Sequence, residues 1–342
     1  MKNIELMTML KGLGIILVVF GHSIMANSLP HNFIYLFHLA LFYFASGYFF
    51  KEKYISNLKL YIWKRVKALY FPFVKYGLLF LFLHNIFYKA GLYNNAFSLS
   101  EMAKDAVDVL KFFYFEPLLG IFWFLKSLFV VNVTFAVVLS LCKRFNHYGG
   151  ACFLFLGGLT ILGIVASLKD FPLCNTLAEF VLLPLAALGY IWKMSNRKFR
   201  FNAIAFVVSF VILLLCVHVK VEISRHKLFT NPLIFYLVSV CGVYFCLCIC
   251  SFMNKLNVRS VITRIGLHTM PIFVWHLLIF RGVSLIIIQI YGLSMDKLSM
   301  HPIIPIDNGI WCWIYTFIGI AIPLLILNLR DKIFSRKIEQ KK

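Results

Sequence analysis

Acidic residues are scarce in this chain: 13 Asp and Glu stand against 34 Lys and Arg in 342 residues, and charged side chains make up only 14%. With 61% hydrophobic residues and a mean hydropathy of +0.86, that scarcity excludes a soluble globular domain. Long polar stretches are missing too, so no segment between apolar runs is wide enough to fold outside a bilayer. The nine cysteines lack paired metal spacing, and most lie within apolar runs, where Cys acts as a small hydrophobe. Cys246, Cys248 and Cys250 are two apart and point away from one another on a helix, so they read as packing, and no metal site is expected. A small-x-small cleavage site is absent after the first apolar run, which is therefore expected to be retained.

What is present is apolar length. A span needs about 20 mostly apolar residues, and ten candidates appear: 12–28, 33–50, 69–88, 118–141, 149–168, 173–192, 202–219, 231–253, 265–291 and 310–329. The net charge of +21 comes from short basic clusters between these runs, which suits membrane-surface loops and not nucleic acid. With the N-terminus inside, 23 of the Lys and Arg fall in inner segments, eight in outer loops and three (Lys75, Lys126, Arg281) within spans. The expected fold is thus an all-α integral membrane protein of about ten transmembrane helices, one domain over residues 1–342, with both termini cytoplasmic. In the outer loop near residues 89–117, Met102, Ala106, Val109 and Leu110 share one helical face, which predicts a short surface helix covering an outward-facing pocket or simply bridging two spans.

Four ionisable side chains interrupt the spans: His22, His38, Lys126 and His276. A charged residue near the bilayer centre costs about 2.5–3.5 kcal/mol on insertion scales, so such residues mark either a functional site or a hydrogen-bonded packing contact between helices. At about 1.5 Å rise per residue, all four fall near mid-membrane, which points to one polar cavity. Sequence adjacency requires only the first two spans, joined by a short turn at Pro30, to be neighbours.

These residues carry a family resemblance. KGLGIILVVFGH, with Lys11 and His22 separated by ten residues, resembles the first-helix signature of the acyltransferase-3 family. FHLALFYFASGYFF is similar to the second-helix segment of its polysaccharide O-acetyltransferase, fucose 4-O-acetylase-like, branch. WKRVKALYFPF, WFLKSLF and IGLHTMPIFVWHLLI resemble further family segments. Lys64 and Lys67, with Arg65 between, stand where the family often carries two arginines, and Ala40 stands where it usually has Pro.

The resemblance implies transfer of an acyl group, usually acetyl from acetyl-CoA, to a hydroxyl of a cell-envelope polysaccharide or its lipid-linked precursor, in the bacterial cytoplasmic membrane. Coenzyme A is a cytoplasmic polyanion, so clustered Lys11, Lys64, Arg65 and Lys67 would hold it. Acyl transfer needs a base and a donor to the developing oxyanion, and imidazole titrates near neutrality. His22 is expected as base or transient acyl carrier, with His276 and Lys126 steadying the oxyanion or orienting the sugar hydroxyl, and His38 orienting His22. Arg281 and Trp123 are expected at the glycan. The rival class is a secondary transporter or flippase of a small solute or glycan precursor, weakened by the near absence of membrane carboxylates other than Glu179 and of an evident inverted repeat.

Overall fold

In lipid every backbone N–H and C=O must be satisfied within the chain, so long runs of Leu, Ile, Val and Phe become helices. The computed structural model describes residues 3–113, 116–168, 176–219, 221, 223–224, 227–228, 231–256, 258–300, 302–306 and 309–339, with the side chains of 223–224, 227–228 and 334–339 aside. Lys2, Lys169, Lys220, Arg225, Lys341 and Lys342, counted above for orientation, lie outside these residues. Among the described residues the chain is helical almost throughout, and its strands are one antiparallel two-residue pair, β1 (Ile223–Ser224) and β2 (Lys227–Leu228).

The first span is α1 (Asn3–Ser23). The second is broken: α2 (Leu29–Tyr35) and α3 (Ala40–Phe49) flank a turn at residues 36–39. The third is continuous but irregular, α4 (Leu58–Arg65) passing through a π-helical turn at Val66–Tyr70 into α5 (Phe71–Lys89). Then come α6 (Leu99–Leu110), α7 (Trp123–Cys142), α8 (Tyr148–Leu168), α9 (Leu183–Met194) after a 3-10 turn at Leu177–Leu182, and α10 (Ala203–Leu215). The chain closes with α11 (Pro232–Met253), α12 (Arg259–Leu267), α13 (Thr269–Tyr291) and α14 (Ile310–Glu339).

Nine helices among the described residues are long and apolar enough to cross a bilayer, against the ten expected. The difference is α10, helical over 13 residues where the sequence predicted a span of 202–219. Side-chain contacts nevertheless fix its direction. The Asn3 side chain donates to the Arg197 carbonyl (2.9 Å), so α9 ends beside the N-terminus. Arg259, just after α11, pairs with Glu5, so α11 ends on that face as well. Because α11 must start on the opposite face, α10 has to carry the chain across. Arg264 also donates to Asn328 on α14, which returns the last helix to the N-terminal face.

Small residues set the closest crossings. A Cβ on Gly47 would lie 1.8 Å from the Ala186 carbonyl oxygen and one on Gly189 1.9 Å from that of Phe44, so α3 and α9 touch backbone to backbone. Gly12 and Gly266 join α1 to α12 in the same way. This is the packing expected where lipid removes any hydrophobic drive between helices.

The predicted surface helix exists as α6, opened by a capping box of Ser98 and Glu101. It lines neither of the two cavities inside the bundle. Val109 fills the notch at Gly77, the Tyr70 hydroxyl donates to the Leu110 carbonyl (2.8 Å), and α6 is strapped along α5 instead. The preceding loop is pinned by buried His84, which meets the Glu116 carboxylate (3.0 Å) and the Asn95 carbonyl (3.1 Å) while stacking on Phe97.

Candidate active site: two cavities and an aromatic wall

Two cavities meet inside the bundle. The one towards the N-terminal face has a volume of about 660 Å³ and is lined by Lys11 on α1 and by Lys64 and Arg65 at the end of α4. The Lys64 ammonium donates to the Tyr54 hydroxyl (3.0 Å), a bond that holds the Tyr54 phenol below its ordinary pKa. Arg65 lies over the Tyr61 ring, and its Nε is buried with no hydrogen-bond partner among the described residues. Lys51 lines it as well, and four cations around an interior space, one with an unsatisfied donor, suit the phosphates of a nucleotide-bearing substrate. Lys67, expected with them, does not line this cavity and lies over the Trp63 ring instead. The cause is the π-helical turn that starts at Val66: in the wider turn, residues three apart no longer share a face.

The second cavity, about 220 Å³, holds the imidazoles. His22, near the end of α1, and His38, in the break between α2 and α3, both line it, with Trp123, Tyr35 and Ser239. The break is what puts His38 there, because residues 35–40 all face the cavity, as irregular backbone at membrane depth normally does. Proline at the first turn of α2 and the approach of Phe37 to Gly242 on α11, where a Cβ would lie 2.1 Å from that of Phe37, fix the short helix in place.

His276 on α13 stands behind His22, the rings stacked with centroids 5.6 Å apart, so the ninth span of the sequence is a neighbour of the first. His276 Nδ1 meets the carbonyls of Ile272 (3.0 Å) and Phe273 (3.1 Å), and His38 Nδ1 meets that of Ile34 (3.0 Å). A carbonyl only accepts, so in both rings Nδ1 carries the hydrogen, and in a neutral imidazole Nε2 holds the lone pair. In its neutral form His276 presents Nε2 as an acceptor, which suits orienting a hydroxyl, whereas steadying an oxyanion takes the protonated ring.

The other expected site residues lie elsewhere. Lys126 lines neither cavity: its ammonium sits 3.7 Å from the centre of the Phe113 ring, within electrostatic reach of Glu179, and has no hydrogen-bond partner among the described residues. Glu179 accepts from the Ser127 hydroxyl, which also bonds the Tyr43 hydroxyl (2.5 Å), so Tyr43 is held as a packed, bonded residue. Arg281 is 2% exposed and donates to the carbonyls of Leu298, Ser299 and Met300, which closes the loop after α13. Ser239, which no sequence pattern marks, is buried with an Oγ that finds no partner among the described residues, and it faces the imidazole cavity.

Phe42, Phe124 and Phe273 line both cavities and are the wall between them. Phe42 and Phe124 meet edge to face (centroids 5.3 Å), and Phe273 stands 6.0 Å from Phe124. Across this wall, Lys11 and His22 are eleven residues apart on one helix, about 16 Å along its axis.

The family model described as an acyltransferase domain, that of the acyltransferase-3 family, matches residues 5–330. The chain belongs to the acyltransferase-3 family. It is therefore a multi-pass membrane acyltransferase. No curated protein and no solved structure matches it. In this acyltransferase the matched residues include Lys11, Lys64 and Arg65 of one cavity and His22, His38 and Ser239 of the other.

Proposed function

We propose that this acyltransferase moves an acyl group, acetyl in the first instance, from acyl-CoA held at the basic cavity to a hydroxyl of a cell-envelope glycan or its lipid-linked precursor in the imidazole cavity. The observation that carries the reading is the pair of cavities, cationic on the N-terminal face and imidazole-lined beyond it, with one aromatic wall between. The charge bias of the loops supports a cytoplasmic N-terminal face, the side where acyl-CoA is made, and the reading puts the protein in the bacterial cytoplasmic membrane. Lys11, Lys64 and Arg65 hold the phosphates, and Lys67 contributes long-range positive charge at the entry.

His22 acts as general base. It takes the proton of the acceptor hydroxyl as that oxygen attacks the thioester carbonyl carbon. The C–S bond then breaks, and His22 returns the proton to the departing sulfur, so thiol and ester form together. His276 backs the His22 ring and keeps it facing the cavity, while His38 Nε2 and Ser239 Oγ bond the acceptor's other hydroxyls. Trp123 supplies a face for the sugar ring. Lys126 is proposed to act at a distance, holding Glu179 and Ser127, and through them the Phe124 side of the cavity, in place; Arg281 orders the loop at the outer mouth.

The test uses membrane vesicles from cells making the full chain, incubated with radiolabelled acetyl-CoA. Label should pass into envelope glycan, and His22→Gln should lower the rate by about 10²–10⁴-fold, the usual contribution of a general base. Uptake of an unmodified solute into proteoliposomes without label transfer would show a carrier instead.

A further inference from the structure

We propose that Phe42, Phe124 and Phe273 are a filter for acyl chain length, which makes this chain selective for short acyl thioesters. The inference rests on the acyl-transfer reading above and deepens it. In that reading the nucleotide end of the donor stays among Lys11, Lys64 and Arg65, so the acyl group must lead through the wall to reach His22. The three rings are the residues common to both cavities, so the passage runs between them.

Each ring is held from behind. Phe42 lies against Gly14 of α1, where a Cβ would stand 3.0 Å from the Phe42 ring. Phe124 meets the edge of Tyr43 (centroids 5.6 Å), whose hydroxyl is fixed by Ser127. Phe273 stacks on Phe122 (5.6 Å, planes 19° apart). Rings braced on three helices swing less than free ones, and an acyl group gets through only in proportion to how little displacement it demands. Beyond the wall the space is about 220 Å³ and has to hold the acyl group and the attacking hydroxyl together. Both the passage and the chamber therefore favour acetyl over longer chains, and an apolar passage discriminates by size because each added methylene needs room that close-packed rings do not give.

Inside-out membrane vesicles carrying the full chain are given radiolabelled acetyl-, butyryl- and hexanoyl-CoA separately, and label entering the glycan is measured. Wild type should use hexanoyl-CoA at least about tenfold less well than acetyl-CoA. Phe124→Leu, Phe124→Ala and Phe273→Ala should each raise the hexanoyl-to-acetyl ratio by about tenfold. Phe82→Ala, whose ring is 77% exposed on the outside of the bundle, should leave the ratio unchanged. The ratio is internal to each preparation, so partial misfolding does not move it. As a readout independent of turnover, thermal melting of the purified protein should show less stabilisation by hexanoyl-CoA than by acetyl-CoA in wild type, and equal stabilisation in Phe124→Ala. Ratios and melting shifts that match between wild type and wall variants overturn the filter and leave acyl transfer standing. Failure of wild type to transfer label from any donor overturns acyl transfer and the filter together.

Discussion

At the scale of single residues, the ionisable groups within the membrane divide into those that face a cavity and those that hold backbone together. Arg281 is of the second kind. Its guanidinium satisfies three loop carbonyls in a site 2% exposed, so Arg281→Leu should lower stability by roughly 3 kcal/mol or more, because charged hydrogen bonds are lost and the acceptors stay buried. Thermal melting in detergent measures this, and acceptor affinity in the surviving fraction should stay at the wild-type value. The sequence marked Lys126 and the three histidines alike, because depth near mid-membrane is all that a one-dimensional reading detects, and it set Arg281 at the glycan on position along the helix alone. Which way each side chain turns depends on neighbours far away in the chain: residues 298–300 for Arg281, and Phe113 and Glu179 for Lys126. Ser239 and the three wall phenylalanines left no trace in the sequence, since one serine in an apolar span and three of 37 phenylalanines look like packing.

At the scale of elements, the crossings depend on glycine and the loop helix on its cap. Gly189→Ala would drive a methyl into the Phe44 carbonyl and force α9 away from α3; a loss of roughly 2–3 kcal/mol, typical of overpacking, is expected in thermal melting. Ser98→Ala removes the acceptor for the Glu101 backbone N–H and should destabilise α6 by about 1 kcal/mol, seen as faster amide exchange confined to residues 98–110. The Glu101 carboxylate is held below its ordinary pKa by hydrogen bonds from the Ser98 hydroxyl and backbone N–H. A depressed carboxyl contributes stability above its unfolded pKa and loses it as pH falls through the folded one, so exchange in α6 should rise on acidification below the ordinary carboxylate range. Helix type, and nine of the ten spans expected, were legible from apolar length because lipid allows little else. The break at residues 36–39 and the π-helical turn at Val66–Tyr70 were not, because neither segment contains a Gly or Pro (Pro72 comes only after the turn) and each lies in a stretch that reads as one continuous helix.

At the scale of the whole molecule, the two cavities predict a separation of binding from chemistry. Lys64→Gln combined with Arg65→Gln should raise KM for acyl-CoA about tenfold or more while kcat changes little, because uniform binding is lost and His22 is untouched. The wild-type KM should rise with salt and that of the double variant should rise less. Steady-state rates at varied donor and salt concentration check both. Asn3, Glu5 and Asn328 meet Arg197, Arg259 and Arg264 on one face, so tags at the two ends of the described chain should be reached by protease from the same side of the membrane.

Composition by itself determined the solvent of this protein, and with it the helical class and the charge bias of its loops, because transfer of apolar surface and of Lys or Arg into lipid is additive along the chain. The family likewise was written in local motifs. The tertiary structure decided which of the buried polar groups form a site: it set His276 behind His22, turned Lys67, Lys126 and Arg281 away, and brought Phe42, Phe124 and Phe273 from three helices into one wall. Those outcomes depend on helix rotation and neighbour choice, which packing between distant segments sets and which no local stretch of sequence contains.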